Sequence, residues 1–502
     1  MAGDLQHDRG GAARERPCRP GRRTSSPRLR GSGLLRGVLV CAAALLLAAC
    51  STIRPWVNQP ITADSPSAPT PIVVPQAYEP GRPSTPSIIA AVTLSGGGAR
   101  AAAFGLGVLQ ELKDTQFTWE GRRTTLLDEV GLVSGVSGGS VLASYYAAFG
   151  DEVFARFERD FLLVNFQSSL IWSLTSPGSL YSLSSPWWGR SNVLAQRLDT
   201  VFGGTTFGDL RRKRPKPRLL VTATDLTTGA PFEFTPDQFA LICSDLDSVP
   251  LSFAVAASSA VPILLSPITV RNYAGTCPQA ALLDEPPSAD GNLSARLLHL
   301  IKQSYRNAKE RPYIHLVDGG LVDNLGLRSL VDRVIAGGSL DASFRALPPG
   351  SVHKIVLVSV NSERDTADRI DTSNRVPGVT QVLDSLVFGA GSRMTTETTE
   401  IANDVVRRLS EELRADQRQP DSPFAADAQI HVINVSLRAL RDPAVRQTLM
   451  SVPTAFTILP IQVRRLQIAG RQVLRESPEF QQLRRSLAAE PEVAIADMPA
   501  MP

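Results

Sequence analysis

Cysteine and histidine are scarce in this sequence, five of each in 502 residues. No cysteine forms a CxxC pair or joins a histidine at zinc-ligand spacing, so no metal site is expected. A surplus of positive charge is also missing from most of the chain. The first 49 residues hold nine Arg against Asp4, Asp8 and Glu15, which more than accounts for the net charge of +4 and leaves the remainder slightly acidic. Such a body has no basic stripe to hold a phosphate backbone, which argues against a nucleic-acid partner. Long apolar runs are absent too: Gly37–Ala49 is shorter than the roughly 20 residues of a membrane span. Past residue 49 the histidines are His299 in an amphipathic helical pattern, His315 inside a strand pattern, and His353 and His431 at the openings of strands. None sits on a loop of the kind a Ser-His-Asp triad requires.

What the amino-terminal part does contain is a targeting pattern. Arg-rich residues 22–36 precede the apolar run, which ends Leu47-Ala48-Ala49-Cys50. This resembles the lipobox of bacterial lipoproteins, which implies removal of residues 1–49 and lipidation of Cys50. Ser51 and Thr52 after the cysteine, in place of Asp, imply sorting to the outer membrane. Residues 50–87 are rich in Pro, Ser and Thr without a helical or alternating period and are expected to form an extended tether. With Cys18 and Cys41 in the leader, Cys243 and Cys277 remain, either as a disulfide pair suited to an oxidising compartment or as two separate buried thiols.

The body, 43% hydrophobic, carries a repeated strand-turn-helix pattern. Ile88–Leu94 reads as a strand ending in glycines, followed by an apolar helix over 100–112. Leu126–Ser134 reads as a second strand, followed by Gly135–Gly139 and a helix over 140–149. Strands over 218–224, 313–317 and 353–360 complete a mostly parallel, helix-covered sheet. Residues 88–375 are expected to form this domain and 376–502 a helical covering region, with 414–427 and 489–502 loose.

Three motifs fall where such a sheet presents its loops. Gly135-Val136-Ser137-Gly138-Gly139 fits a nucleophile elbow, in which a sharp strand-to-helix turn projects a serine at a helix start. Ser95-Gly96-Gly97-Gly98-Ala99-Arg100 can aim successive N–H groups at one point, as an oxyanion hole needs. Gly96, Gly98 and Ala101 equally fit a dinucleotide fingerprint with Glu120 as the ribose-binding acid, a reading that leaves the elbow unexplained. Val317-Asp318-Gly319-Gly320, with Asn324 after it, places a carboxylate at a strand's end, although an isolated Asp-Gly-Gly is more often a simple turn.

In that order, over roughly residues 88–330, the motifs resemble those of the patatin-like phospholipase family. Ala257-Ser258-Ser259-Ala260-Val261-Pro262 resembles the family's small-residue helix and Pro turn. The resemblance implies an α/β patatin-like three-layer sandwich, with a mostly parallel central sheet and helices on both faces. It also implies a serine hydrolase of membrane lipid esters that uses a Ser-Asp dyad and no cofactor. Ser137 would attack, Asp318 would act as base, Gly96, Gly97 and Gly98 would form the oxyanion hole, and Arg100 would shape that loop. Gly135 and Gly139 would belong to the elbow, Gly319 and Gly320 to the Asp-Gly-Gly motif. The alternatives are a catalytically silent lipid-binding lipoprotein of the same fold and a dinucleotide-binding oxidoreductase.

Residues 170–188 hold Trp172, Trp187 and Trp188 and no charge, a composition suited to an interfacial lid or to the ordinary packing of a long insertion. A lid predicts that Trp187→Ala with Trp188→Ala impairs hydrolysis of vesicle lipid far more than of a short soluble ester. Equal losses on the two substrates would point to packing.

Overall fold

Alternate residues of single strands feed different cores, and this makes the central sheet the middle of three layers. In the strand Val352–Asn361, Val356, Val358 and Val360 enter the main core, while Ile355 and Leu357 pack into two smaller clusters. Ile88–Leu94 does the same: Ile88, Ala90, Val92 and Leu94 enter the main core and Ile89 packs on the other side. The computed structural model describes residues 53–62, 87–213, 217–277, 292–336, 344, 347–364, 374–378, 381–382, 385, 390–416 and 421–488. The expected signal segment, Cys50, most of the expected tether and the carboxyl-terminal 489–502 lie outside them.

The sheet has eight strands: β1 (Ile88–Leu94), β2 (Val130–Gly135), β3 (Arg218–Asp225), β4 (Pro231–Glu233), β5 (Ile268–Arg271), β6 (Tyr313–Val317), β7 (Val352–Asn361) and β8 (Phe424–Ser436). Their order is β8-β7-β1-β2-β3-β6-β5, with β4 also on β3. From β8 to β3 every pairing is parallel, whereas β6, β5 and β4 join antiparallel. The main-core face is covered by α1 (Gly98–Asp114), α2 (Gly138–Phe149), α6 (Leu251–Ser258), α11 (Pro460–Glu476) and α12 (Pro478–Ala488). On the opposite face α8 (Arg328–Ala336) and α9 (Ala390–Asp416) contribute Val331, Ala402, Leu409 and Leu413. Between α2 and α6 the chain forms α3 (Phe166–Leu174), α4 (Pro177–Leu183) and α5 (Arg190–Phe202). The helix α7 (Leu293–Arg306) precedes β6, and α10 (Pro443–Met450) follows β8.

Three expectations change. The segment from 376 onward is not only a helical cover: it supplies β8, which starts inside the stretch expected to be loose and pairs with β7 from Val352 to Asn361. The second strand starts at Val130, because Arg122–Thr125 folds back on Gln116–Trp119 as a hairpin. The tether is not extended and free over 53–62. Gln59 and Pro60 pair with Asp245 and Ser244, and the buried Asn58 amide donates to Ser244 Oγ at 2.9 Å and to the Arg271 carbonyl at 2.8 Å. A Pro-rich composition disguised this strap, since its partners lie more than 180 residues away. Beside the strap, Cys243 and Cys277 form a disulfide with Cα atoms 5.6 Å apart.

Helices α1 and α11 approach closely through reciprocal glycines. A Cβ on Gly107 would lie 2.1 Å from the Gln467 carbonyl oxygen, and one on Gly470 2.3 Å from that of Phe104. Backbone cannot yield as a side chain would, so Gly107→Ala is expected to cost about 2–4 kcal/mol in denaturant unfolding. Gly178→Ala in α4, where a Cβ meets nothing within 4 Å, should be neutral or slightly stabilising.

Candidate active site

Ser137 stands between β2 and α2 with φ 49° and ψ −122°, a left-handed conformation that a non-glycine residue holds only at a cost of roughly 1–3 kcal/mol. The strain persists because the turn is pinned on all sides. The Val136 N–H donates to Leu94 O at 3.1 Å, the Ser137 N–H donates to Ser258 Oγ at 2.8 Å, and Ser258 in turn donates to Thr222 O at 2.6 Å. Gly135 and Gly139 fit where side chains would strike Ser140 Cα and the Leu94 carbonyl. The Ser137 hydroxyl therefore has little freedom, and it donates to Asp318 Oδ2 at 2.9 Å.

Asp318 reaches this point from an unexpected direction. The sequence suggested a parallel strand with the aspartate at the sheet's carboxyl edge, but β6 runs antiparallel to β3. Val317 lies opposite Thr224, and Gly135 opposite Val221. The strand thus enters from beyond the carboxyl ends of its neighbours and delivers Asp318 just past the end of β2. Its N–H donates to Ala260 O at 3.0 Å, its carbonyl accepts from Thr224 Oγ1 at 2.9 Å, and Oδ1 accepts from the Gly320 N–H at 2.8 Å. Gly319 packs with its α-carbon against the Thr222 carbonyl. Burial pushes the Asp318 carboxyl up to about 6, against the lowering effect of the Gly320 N–H and the Ser137 hydroxyl. Such a group is ionised at neutral pH yet remains basic enough to accept a proton.

The glycine loop departs from expectation in one respect. The Gly96 N–H is already bound to Asn324 O at 3.0 Å and is not available to an oxyanion. Gly97 and Gly98, at φ 138° and 63°, have N–H groups without a protein partner among the described residues. So does Gly138, immediately after Ser137, where the backbones touch: a Cβ on Gly138 would lie 2.1 Å from Gly98 O. Gly138 was not singled out from the sequence, although the residue following an elbow nucleophile is the standard second donor. Arg100 is buried and lies beneath the loop, donating through Nε to Ser362 O at 2.9 Å and through a terminal nitrogen to Val452 O at 2.6 Å. Burial, with Arg364 nearby, pulls it down to about 9, against Glu363.

The dinucleotide alternative loses one donor and its acid. The Ala99 N–H at the start of α1 is bonded to Ala455 O at 2.7 Å, and Glu120 lies in the turn of the Gln116–Thr125 hairpin. No described histidine bonds Ser137. His315 pairs with Thr269, His299 with Gln303, His353 with Asp427 and His431 with Gln429. Among the described residues no three His, Cys, Asp or Glu gather as metal ligands.

The two ends of the tryptophan-rich segment contact segments that brace the site. Phe166, at the start of α3, packs on Phe456 with ring centroids 5.6 Å apart, next to the Ala455 that seals the glycine loop. At its other end Arg190 donates to Ile263 O at 2.8 Å, three residues beyond the Ala260 that holds Asp318. Trp172 is 76% exposed and Trp187 41%, whereas Trp188 is half-buried, so the two adjacent tryptophans differ in their exposure.

Residues 92–331 match the family model described as patatin-like phospholipase, and they form a domain of that type with the patatin fold. The chain is similar to the solved structure of human GIVD cytosolic phospholipase A2, at 15% identity and TM-score 0.38, over 80% of this chain and 60% of that one. It is also similar to VipD from Legionella pneumophila, at 14% identity and TM-score 0.31, over 85% and 72%. The chain therefore spans well under two thirds of the human enzyme's length. No curated protein matches the sequence significantly.

The raised Asp318 carboxyl has a thermodynamic signature. Its folded value lies above the ordinary 3.8, so the stability linked to its neutral form is complete below about pH 4 and is lost as pH rises through about 6. Asp318→Asn cannot ionise. The variant is expected to gain stability relative to the parent across that window, by on the order of 2 kcal/mol, and to hold the gain above it. Denaturant unfolding from pH 4 to 8 checks this, and a pH-independent difference contradicts it.

Proposed function

We propose that the patatin-like domain is a serine acyl hydrolase acting on lipid esters through a Ser137–Asp318 dyad. The observation that carries this is the 2.9 Å hydrogen bond from Ser137 Oγ to Asp318 Oδ2, set beside the N–H groups of Gly97, Gly98 and Gly138, which have no protein partner among the described residues.

The chemistry follows from that geometry. As Ser137 Oγ adds to the ester carbonyl carbon, Asp318 takes its proton, and the new alkoxide forms against the N–H donors at two helix starts. Collapse of the tetrahedral adduct breaks the ester C–O bond. The departing alcohol takes the proton from Asp318, leaving the acyl group on Ser137. Water then gives a proton to Asp318 and its oxygen to the acyl carbon, releasing the fatty acid, and Ser137 recovers its proton. Arg100 acts through the loop it holds and touches no reacting atom. The lipid class is supported by the family match and by the exposed tryptophans beside the site. The amino-terminal pattern supports export and anchoring through Cys50 to the outer membrane.

Purified residues 51–502 should release p-nitrophenol from a medium-chain ester, and Ser137→Ala and Asp318→Asn should each lower kcat by about a thousandfold or more. The kcat/KM of the parent should rise with pH through about 6, as Asp318 ionises. An enzyme inert on esters and phospholipid vesicles alike would instead support the silent lipid-binding alternative. For the anchor, Cys50→Ala should move the expressed protein from the membrane fraction to the soluble one.

A further inference from the structure

In the proposed hydrolase the N–H groups of Gly97, Gly98 and Gly138 meet the carbonyl oxygen, and Asp318 takes the Ser137 proton. A third reacting atom, the ester's alkoxy oxygen, has no protein group assigned to it, and the hydrolytic water takes its place once the alcohol has gone. By microscopic reversibility one group can serve both. It must donate to an oxygen that gains negative charge as the C–O bond breaks, and it must accept from the second O–H of the water. A carboxamide does both without changing charge.

Asn324, six residues beyond Asp318, carries such a group into the site. Its side chain fills the space that two glycines leave open. A Cβ on Gly96 would lie 2.6 Å from Asn324 Oδ1 and 3.4 Å from Ser137 Cβ, and one on Gly320 would lie 2.9 Å from Asn324 Oδ1 and 3.0 Å from Asp318 Oδ1. The carboxamide therefore occupies a slot bordered by the nucleophile on one side and the base on the other. The backbone around it is fixed by other means. Asn324 O accepts from the Gly96 N–H at 3.0 Å, the buried Asp323 carboxylate accepts from the Leu327 N–H at 3.1 Å, and Gly326 O accepts from Ser134 Oγ at 2.9 Å. None of these bonds uses the carboxamide, which is half-buried and has no hydrogen-bond partner among the described residues. A polar group placed by packing alone gains the fold little, and its donors and acceptor remain for a molecule that enters the site.

We infer that the Asn324 carboxamide holds the alkoxy oxygen that leaves and the water that replaces it. The inference rests on the acyl hydrolase proposal. In acylation the bond between carbonyl carbon and alkoxy oxygen breaks, its electron pair stays on the oxygen, and that oxygen accepts from Asn324 Nδ2 while it takes the proton held by Asp318. In deacylation water gives one proton to Asp318 and bonds through oxygen to the acyl carbon, while its other O–H donates to Asn324 Oδ1. The Ser137 Oγ–carbon bond then breaks and Oγ takes the proton back from Asp318. Asn324 itself gains and loses nothing.

The test uses the purified full chain with Asn324→Leu, close to asparagine in shape, and two esters of one medium-chain acid, the p-nitrophenyl and the ethyl. p-Nitrophenolate departs without help, so acylation by that ester should proceed at the parent's rate, and kcat/KM should stay within about threefold of the parent's. Deacylation needs the water and should slow. On this ester kcat should fall about a hundredfold with KM falling in proportion, a burst of p-nitrophenol should precede the steady state, and intact-mass measurement should find the acyl group on Ser137. On the ethyl ester kcat/KM should itself fall about a hundredfold. Gly96→Ala, whose Cβ displaces the carboxamide while Asn324 stays in the chain, should show the same pattern, and it carries the test alone should Asn324→Leu not fold. Parental kcat on both esters overturns the inference and leaves the hydrolase proposal standing. So does a kcat/KM that falls equally on the two esters without an acyl-enzyme, the pattern of a distorted dyad. A parent that turns over neither ester overturns the hydrolase proposal, and this inference with it.

Discussion

Everything at this site depends on two backbones in contact. The turn after β1 and the turn after β2 meet at Gly98 and Gly138 so closely that a methyl group on Gly138 would overlap the Gly98 carbonyl. Neighbouring parallel strands bring their following helices to the same edge, but ordinary side chains would keep those helix starts apart. Removing the side chains brings together three N–H groups that have no protein partner among the described residues, and it also obliges Ser137 to adopt a left-handed backbone. The strain and the donor array are therefore results of the same close approach. Hydrogen bonds from sheet residues and from the Ala257–Pro262 segment then hold the turn in that state.

Asp318 adds the second constraint. A carboxylate buried without a cation is costly unless hydrogen bonds satisfy it, and here one N–H and one hydroxyl do so incompletely. The remainder of the penalty appears as the raised affinity for a proton. The antiparallel entry of β6 matters for this, because it brings the aspartate in from beyond the carboxyl ends of the parallel strands, and its backbone is tied on both sides to Ala260 and Thr224.

The parts that were legible in the sequence are those written in short stretches. A strand, a glycine-rich turn and a helix occupy fewer than thirty consecutive residues, and the elbow, the glycine loop and the Asp-Gly-Gly turn each signal through local backbone demands. What could not be read were the long-range pairings. The direction of β6 is set by its partners in the sheet, not by its own alternation. The strand β8 was hidden behind a polar start, and the strap behind a run of prolines. The loss of the Gly96 donor depends on Asn324, and the loss of the Ala99 donor on Ala455, more than 220 and 350 residues away respectively. Gly138 was within reach of local reasoning, since the position after an elbow nucleophile carries a known donor role.

The closure of the glycine loop by Arg100 on Val452 and by Ala99 on Ala455 gives the fold a temporal order. Ser137, Asp318 and the N–H groups of Gly97, Gly98 and Gly138 all lie before residue 331, yet the loop that carries two of those groups is braced by residues synthesised more than a hundred positions later. A chain threading out of the ribosome or across a membrane folds its earlier parts first. The turn that carries Ser137 would form long before the glycine loop beside it was braced. A rigid glycine loop therefore waits on the last quarter of the chain.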